Sequence, residues 1–321
     1  MSDLIRIGVL GCADIARRRM LPALAASAAF DVAAVAGRDR ARADELAGAY
    51  GARGYGDYAE LLADDGIDAV YAPVPLALHH RWVEAALMAG KHVLAEKPLT
   101  TDPERTAALF ALARERSLAL MENVMFVHHG RHAEVRRLVA DGAIGELRSL
   151  HAEFTVPRRP ADDIRYRPEL GGGSLGDTGV YPLRAALHLL GPRLTVLGAS
   201  LTSAPGFEVD TAGAALLAAP DGVTAQVSFG LDHAYRGQYE LCGSTGRLTV
   251  PRAFTPPADQ DQVIVLEDPS GVRELRQPAE DQVAATVAAF AAAVRTGHAD
   301  PADSLAQARL LAAVAHHART A

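Results

Sequence analysis

Cysteine and long apolar runs are almost missing from this sequence. Its 321 residues include only two cysteines, Cys12 and Cys242, so we expect no disulfide framework and a reducing, cytoplasmic location. No uninterrupted apolar run approaches the roughly 20 residues that a membrane helix needs. No charged-then-apolar signal region precedes the first strand-like run. We therefore expect neither a secreted disulfide scaffold nor a membrane partner.

Positive charge is also scarce. Lys and Arg together number 32 against 39 Asp and Glu, which gives a formal net charge of −7. The chain has no basic stripe that could neutralise the phosphates of a nucleic acid, so no nucleic-acid partner is expected. Hydrophobic residues make up 49% and charged residues 22%, which is typical of a globular protein with a sizeable core.

In residues 1–122, short apolar runs alternate with helical patterns. This alternation predicts βαβ units and a doubly wound parallel sheet, the architecture of a dinucleotide-binding Rossmann domain. The predicted strands are Ile5–Leu10, Val32–Ala36, Ala69–Ala72, His92–Ala95 and Leu118–Met121. The predicted helices are Ile15–Ser27, Ala41–Tyr50, Tyr58–Ala63, Leu76–Ala89 and Pro103–Arg116.

The pattern changes in residues 123–321, which we interpret as an α+β domain for substrate binding and oligomerisation. Helices are predicted at Glu134–Asp141 and Thr178–Leu190, with a long strand between them in GELRSLHAEFTV, residues 145–156. Successive strands without long helices then predict a large, open, mainly antiparallel sheet. These strands are Leu194–Thr202, Thr211–Ala218, Val223–Leu231, Tyr235–Gly243, Arg247–Val250 and Val263–Glu267. Two alanine-rich helices, which can pack back on the first domain, are predicted at Asp281–Thr296 and Ala302–Thr320.

The turn after the first predicted strand has the position of a dinucleotide-binding loop. Aligned on Gly11, the pattern G-x-G-x-x-G becomes Gly11-Cys12-Ala13-Asp14-Ile15-Ala16, with only the first glycine kept. The methyl group of Ala13 lies where the backbone normally approaches the pyrophosphate, but the helix N-terminus still offers N–H groups to phosphate. This loop alone supports a nucleotide site and a plain turn equally.

The end of the second predicted strand bears on the choice between NAD and NADP. Enzymes that use NAD tend to place an acidic residue there for the ribose 2′-hydroxyl, whereas this chain has Gly37 and Arg38. An arginine suits the 2′-phosphate, so the pattern favours NADP. Asp39, one position later, leaves NAD open, and a solvated loop is the alternative without function.

Two further segments carry candidate chemistry. In HVLAEKPLTT, residues 92–101, Lys97 lies between an apolar strand and Pro98, either as a solvated loop residue or as an active-site lysine at a strand's carboxyl end. In GGGSLGDTGVYPLRAA, residues 171–186, Asp177 and Tyr181 are four positions apart at the start of a helix and face the same way. Asp177 can equally be an N-cap, and Tyr181 can equally be a packing residue.

Four segments together resemble the Gfo/Idh/MocA oxidoreductases, named for glucose-fructose oxidoreductase and inositol dehydrogenase. They are the Gly11 loop, VPLALHH (74–80), AEKPL (95–99) and GGGSLGDTGVYPLRAA. Other segments resemble the sugar 3-ketoreductases of antibiotic biosynthesis, which act on nucleotide-linked keto-deoxyhexoses and also tolerate alanine in the dinucleotide loop. These are GCADIARRRMLPAL (11–24), HVLAEKPLTT, MENVMFVHHGRH (121–132), DIRYRPELGGG (163–173), DHAYRGQYELCGSTGRL (232–248) and AFTPPA (253–258).

The resemblance implies an enzyme that uses NADPH to reduce the C3 ketone of a dTDP-linked keto-deoxyhexose. It implies that Lys97 and Tyr181 stabilise and protonate the substrate oxygen, with Asp177 beside them, and that the peptide before Pro98 is cis. One alternative is another dehydrogenase of the family, acting on a free sugar, polyol or dihydrodiol. Another is a non-catalytic NADP-binding regulator, against which the retention of Lys97 and Tyr181 argues.

The same resemblance implies two sets of ligand contacts. Arg165 can equally form a surface ion pair, and Tyr235 can equally serve packing. The residues implied for the cofactor NADP(H) are Gly11, Cys12, Ala13, Asp14, Ile15, Arg38, Tyr58, Pro75, Leu76, His79, Glu96, Lys97 and Arg165. The residues implied for the substrate are Arg18, Asn123, Arg165, Asp177, Tyr181, Tyr235 and Thr255, with the Phe254–Thr255 turn at the nucleotide end.

Two further expectations concern metals and assembly. The histidines in LALHH and FVHHGRH have no carboxylate or cysteine at a fixed ligand spacing, so no metal site is expected. An open sheet face would be a large apolar patch unless it were covered, which favours a homo-oligomer, either a dimer or a tetramer.

Overall fold

The computed structural model describes residues 4–320, which divide into two compact units. The first contains the residues up to Asn123 together with Val283–Pro301. The second contains Val124–Gln282 and the residues from Ala302 onwards. None of the helices within residues 4–320 is both long enough and apolar enough to cross a membrane.

The first unit is built on a six-stranded sheet in which every neighbouring pair is parallel. The strand order is β3-β2-β1-β4-β5-β6, so the direction of winding reverses between β1 and β4. Ligands of doubly wound sheets bind at the carboxyl ends of the strands beside such a reversal. The predicted Rossmann architecture is confirmed. The strands are β1 (Ile5–Leu10), β2 (Phe30–Ala36), β3 (Arg53–Tyr55), β4 (Ala69–Ala72), β5 (His92–Glu96) and β6 (Leu120–Asn123).

Helices connect these strands, and local sequence explains where several begin. Pro103 opens α5 after Asp102, whose carboxylate accepts from the N–H groups of Glu104 and Arg105. An acidic N-cap followed by proline is a strong start signal because it satisfies exposed N–H groups and fixes φ. The helices are α1 (Leu21–Ala26), which continues a π-helical turn at Ala16–Met20, then α2 (Arg40–Gly48), α3 (Tyr58–Leu62), α4 (His79–Met88) and α5 (Pro103–Glu115).

The second unit is built on an eight-stranded sheet of order β14-β13-β12-β11-β7-β10-β9-β8. Only β7 and β10 pair in parallel, and the other neighbours are antiparallel. The large, mainly antiparallel sheet is therefore confirmed. Its strands are β7 (Leu147–Thr155), β8 (Thr195–Thr202), β9 (Ala212–Ala218), β10 (Thr224–Gly230), β11 (Arg236–Gly243), β12 (Arg247–Val250), β13 (Gln262–Asp268) and β14 (Gly271–Gln277).

Helices cover only one face of this sheet. Leu183 of α7, Leu310 of α9 and Leu150 of β7 belong to one buried core cluster. The opposite face exposes side chains such as His151 and Leu216, and a shallow concavity of about 710 Å³ lies on it. The helices of the unit are α6 (Gly130–Ala140), α7 (Val180–Leu190) and α9 (Ala302–Thr320). The remaining helix, α8 (Gln282–Thr296), stacks Phe290 on Phe30 in the first unit at 5.9 Å between ring centroids.

Two strands of the structure, β3 and β14, are not predicted from the sequence, for different reasons. Strand β3 has only three residues, Arg53–Tyr55, which is too short to show an alternating pattern. Strand β14 is exposed along most of its length, so it has no buried residues to alternate with exposed ones. The predicted fifth strand, Leu118–Met121, is displaced by two residues from the observed β6.

Two histidines of the second unit are shielded from solvent to different degrees: His132 of α6 is buried, and His188 of α7 is half-buried. Nδ1 of His132 lies 2.8 Å from the Tyr239 hydroxyl, and its Nε2 lies 3.1 Å from the Ala253 carbonyl oxygen. Burial and neighbouring positive charges hold the pKa of His132 well below its usual value. Burial, with the charges of Arg136 and Arg184, lowers the pKa of His188 to about 4. Both histidines are therefore neutral at pH 7.

This burial predicts that the protein loses stability in mild acid. In the unfolded chain His188 takes up a proton below about pH 6.5, whereas the folded protein resists protonation down to about pH 4. We expect the free energy of unfolding to fall by about 2 kcal/mol between pH 7 and pH 5 from His188 alone. Urea titrations at both pH values measure this, and His188→Gln should flatten the dependence. The same slope in His188→Gln and in the exposed-site control His151→Gln would contradict the assignment.

Candidate active site

The loop after β1 has the backbone shape of a dinucleotide turn. Gly11 has φ +123°, a conformation that favours glycine, and its N–H donates to the Ala36 carbonyl at 2.8 Å. A Cβ atom at Gly11 would lie 3.3 Å from the hydroxyl of Tyr58, so the two implied cofactor contacts are neighbours. Cys12 and Ala13 follow without regular structure, and Asp14 begins the helical segment. The carboxylate of Asp14 pairs with Arg17 at 3.0 Å and with Arg18 at 2.9 Å.

The residues after β2 are arranged to suit NADP. Asp39 caps α2, because its carboxylate accepts from the N–H of Arg42 at 3.2 Å. The Asp39 carboxylate therefore has a structural role, which weakens the case for binding the ribose 2′-hydroxyl of NAD. Arg38 is exposed beside it, and Arg42 donates to the Cys12 carbonyl at 3.3 Å. Guanidinium groups that gather beside the Gly11 loop fit the phosphate of NADP.

Lys97 lies at the carboxyl end of β5, as the sequence predicts, and the Lys97–Pro98 peptide is cis. Buried polar groups hold the turn that follows. The Leu99 N–H donates to a carboxylate oxygen of Glu122 at 2.8 Å, and His79 Nδ1 lies 2.8 Å from the Pro98 carbonyl oxygen. His79 is 2% exposed, so its contact with this turn is shielded from solvent. Pro75 and Leu76 begin the short turn that precedes α4 and are half-buried.

Glu96 is fixed by two donors on the neighbouring strands. Its Oε1 accepts from the Tyr71 hydroxyl at 2.6 Å and from Nδ2 of Asn123 at 2.7 Å. Asn123 is 1% exposed and pairs directly with Glu96 in the register of β5 and β6. Its Oδ1 has no hydrogen-bond partner among residues 4–320.

In the second unit, Asp177 lies in a π-helical turn, Leu175–Gly179, that leads into α7. Its carboxylate accepts from Nε of Arg165 at 2.8 Å, and Nη1 of the same arginine lies 3.0 Å from Asp163. Asp177 is not the N-cap of this turn, because Ser174 occupies that position and Asp210 accepts from the Leu175 N–H. π-Helical turns are rare and often occur at functional sites.

The glycines of the GGG segment bring Arg165 to this turn. Gly173 has φ +123°, and its N–H donates to the Arg165 carbonyl at 2.9 Å. A Cβ atom at Gly172 would lie 2.5 Å from the same carbonyl oxygen, so a larger residue there would displace the loop. The backbone therefore fixes Arg165 next to Asp177 independently of their ion pair.

Tyr181 belongs to an aromatic cluster on the same unit. Its ring centroid lies 4.6 Å from that of Phe154 and 5.7 Å from that of Phe254. Tyr235 lies at the border of this cluster, with its ring 6.4 Å from Phe154 and its hydroxyl 2.8 Å from Oγ1 of Thr255. The packing role and the chemical role of Tyr181 are compatible, because an aromatic wall can orient a phenol hydroxyl.

The structure thus assembles the predicted residues into two sets, one in each unit. The first lies at the carboxyl ends of the parallel strands, and the second on the π-helical turn and the adjoining aromatic cluster. Tyr71 and Glu122 support the first set, although no sequence pattern singled them out. Glu122 lies within the segment MENVMFVHHGRH, residues 121–132. Tyr71 is the one residue with a polar group in the otherwise apolar strand AVYA, which is a signal for a buried hydrogen bond. No group of three or more His, Cys, Asp or Glu within residues 4–320 is arranged to hold a metal ion.

A dinucleotide turn on a doubly wound parallel sheet, together with a second unit built on a mainly antiparallel sheet, is typical of dinucleotide-dependent oxidoreductases. Residues 5–124 match the family described as oxidoreductases with an NAD-binding Rossmann fold, and residues 132–249 match the GFO/IDH/MocA C-terminal domain. The chain belongs to the Gfo/Idh/MocA family of oxidoreductases.

Relatives within this family are similar over nearly the whole chain. A dTDP-3,4-didehydro-2,6-dideoxy-α-D-glucose 3-reductase of Actinomadura kijaniata is 49% identical over 98% of this chain and 96% of its own. An enzyme of the same name from Streptomyces violaceoruber is 54% identical over 91% of this chain and 85% of its own. The crystal structure of KijD10, a 3-ketoreductase from Actinomadura kijaniata in complex with NADP and TDP-benzene, has a TM-score of 0.96 and covers 98% of both chains at 49% identity.

The contacts of Arg165 predict that it affects activity through Asp177. Arg165→Lys keeps the charge but cannot bridge Asp163 and Asp177 with a planar fork, so we expect kcat to fall by about 10-fold or more. Asp163→Asn weakens one arm of the same fork and should cause a smaller loss. Steady-state kinetics measure both, with the exposed Arg148→Lys as the matched control. An increase in KM for NADPH without a change in kcat would instead make Arg165 a cofactor contact.

Proposed function

We propose that this protein uses NADPH to reduce the C3 ketone of a dTDP-linked keto-deoxyhexose, as a dTDP-3,4-didehydro-2,6-dideoxy-glucose 3-reductase. The observation that carries the proposal is the similarity over nearly the full chain to reductases of that name, together with the presence of Lys97 and Tyr181. Structures of KijD10 were also solved with one lysine or one tyrosine replaced. Those two positions are separated by the same number of residues as Lys97 and Tyr181.

The residues of the first unit fit NADP. The Gly11 turn and the free N–H groups at the start of the following helix suit the pyrophosphate, and Arg38 suits the 2′-phosphate. Glu96 is held by Tyr71 and Asn123 through one oxygen, so its orientation is fixed before a ligand binds. When bound, the reduced nicotinamide supplies the hydride that converts the ketone carbon to a carbinol carbon.

The protein's own groups deal with the charge that this transfer leaves on the substrate oxygen. An ammonium at Lys97 stabilises negative charge on that oxygen, and the Tyr181 hydroxyl is an acidic proton source. One proton and one hydride together yield the alcohol. Asp177, with Arg165 attached, keeps a fixed carboxylate one helical turn from Tyr181.

The substrate's nucleotide end suits the second unit. Tyr235 and Thr255 share a hydrogen bond at the border of the aromatic cluster, and aromatic rings stack on nucleotide bases. A Cβ atom at Gly237 would lie 2.9 Å from the Tyr235 hydroxyl, so glycine there leaves room for this ring position. In the first unit, Arg18 and Asn123 complete the proposed substrate contacts.

The open face of the eight-stranded sheet supports a homo-oligomer, as a dimer or tetramer. Leu216 and Leu197 are exposed on β9 and β8, beside polar residues such as His151 and Gln226. A second copy of the chain would remove these apolar side chains from water.

The function is tested by following NADPH absorbance with a dTDP-3,4-diketo-2,6-dideoxyhexose generated in situ. We expect rapid oxidation of NADPH with the dTDP-sugar and little with a free sugar. Lys97→Ala should lower kcat by roughly 10³-fold and Tyr181→Phe by roughly 10²-fold, because each removes a group that acts on the substrate oxygen. Both variants should still bind NADP in a calorimeter, and Tyr50→Phe serves as the matched control for Tyr181→Phe.

Two results would refute this proposal. Tight NADP binding without turnover of the dTDP-sugar would favour a non-catalytic regulator. Turnover of a free sugar or polyol with equal efficiency would favour another dehydrogenase of the family.

Cofactor preference gives a separate prediction. Arg38→Ala should raise KM for NADPH about 10- to 100-fold, the equivalent of losing charge-assisted hydrogen bonds of about 1.5–3 kcal/mol. KM for NADH should hardly change, because NADH has no 2′-phosphate. Arg148→Ala, an exposed arginine of the second unit, is the control. Equal effects on both cofactors would show that Arg38 does not distinguish them.

A further inference from the structure

His79 has an unusual pair of hydrogen-bond partners. Its Nδ1 lies 2.8 Å from the Pro98 carbonyl oxygen, and its Nε2 lies 2.8 Å from the Val74 carbonyl oxygen. A carbonyl oxygen only accepts, and a neutral imidazole has one N–H to donate. A neutral ring would thus make one hydrogen bond and direct a nitrogen lone pair at the other oxygen. Only the doubly protonated ring donates to both.

The buried His132 shows that this pairing is specific. Its Nε2 faces the Ala253 carbonyl, but its Nδ1 faces the Tyr239 hydroxyl, which can donate. A neutral ring with its proton on Nε2 satisfies both of these contacts. The two histidines are equally inaccessible to solvent, at 2% and 1% exposure, and they differ in the chemistry of one partner.

We propose that His79 is an imidazolium in the folded protein and is a positioning residue, which joins the turn bearing Lys97 to the loop after β4. The catalytic part of this proposal rests on the function proposed for Lys97, whereas the protonation state does not. Val74 lies two residues after β4 and Pro98 two residues after β5, so the ring links two adjacent strand ends.

Opposing influences act on the charge of this ring. Burial is the largest influence and leaves the pKa of His79 below its ordinary value, and the N-terminal end of α4 also disfavours a cation. The carbonyls of Pro98 and Val74 and the negative charge of Glu96 raise it. Glu122 on β6 accepts from Leu99 in the same turn, and His80 is the next residue on α4. Against the cost of burial stands the geometry: the charged ring makes two short charge-assisted bonds, whereas the neutral ring makes one bond and one repulsive contact.

The consequence for Lys97 follows from the order of contacts along the turn. Pro98 is bonded to His79 through its carbonyl, and Leu99 is bonded to Glu122 through its N–H. Two buried side chains thus fix the two residues that follow Lys97. Loss of the His79 bonds should therefore change the direction of the Lys97 side chain.

The protonation state is tested by NMR on the full chain with ¹⁵N-labelled histidine, with and without NADP. Correlations between ring nitrogens and ring protons, tied to backbone assignments, identify His79 without a variant. We expect both ring nitrogens of His79 to carry protons at pH 7, whereas His132 carries one on Nε2. A His79 ring with one bare nitrogen at pH 7 would overturn the proposal, whatever the enzyme's substrate is.

The positioning role is tested by the kinetics of His79→Gln, whose single side-chain nitrogen cannot take the place of both ring nitrogens and so cannot bond both carbonyls in the same way. We expect kcat to fall about 10-fold with less than a two-fold change in KM for NADPH, and His80→Gln to behave as wild type. An unchanged kcat in a folded His79→Gln variant would overturn the positioning role. If that variant does not fold, the link that His79 makes between Val74 and Pro98 is tested in the wild-type protein. The measured quantity is then the rate at which the His79 ring N–H protons exchange with solvent. Protection from exchange is expected, and fast exchange would contradict the proposal.

Discussion

The buried hydrogen bonds beneath the turn after β5 are the constraint on which the proposed chemistry depends. Lys97 has a flexible side chain, so its direction is set by the backbone that carries it. Glu96 and Leu99 are bonded to side chains of the neighbouring strand β6, and Pro98 is bonded to His79 at the start of α4. Because parallel strands end at one edge, these partners lie within reach of each other although they are distant in sequence.

In the second unit, ion pairs rather than neutral hydrogen bonds hold the candidate side chain in place. Asp177 is at the end of a series of contacts that starts at Asp163 and passes through the fork of Arg165. The glycine segment adds backbone bonds that fix the same arginine. Taking one carboxylate away would leave a partly buried guanidinium with an incomplete set of acceptors, which costs more than an exposed ion pair gains. This explains why the fork is expected to influence kcat.

The sequence predicts well those features that follow from a local pattern. Apolar runs predict the buried strands of the first sheet, and the position of Lys97 after β5 follows from them. Strand β3 and the exposed β14 lack such a pattern, so they are identified only by their pairing with β2 and β13 in the structure. The capping role of Asp39 is also hidden, since a helix cap and a ribose ligand require the same residue type. The partners of His79 could not be predicted, because they are backbone carbonyls from two loops.

Lysine usage gives a separate argument about position 97. Nearly all of the 32 basic residues are arginines, and lysine occurs only at positions 91 and 97. Lys91 is buried and donates to the carbonyls of Asp64 and Ile67, which a compact ammonium can do within a small space. At position 97 the same compactness matters for a different reason. A point charge can approach a single substrate oxygen closely, whereas the charge of a guanidinium is spread over a planar fork. The chain, which otherwise uses arginine, therefore has lysine at the two positions where a compact cation is needed.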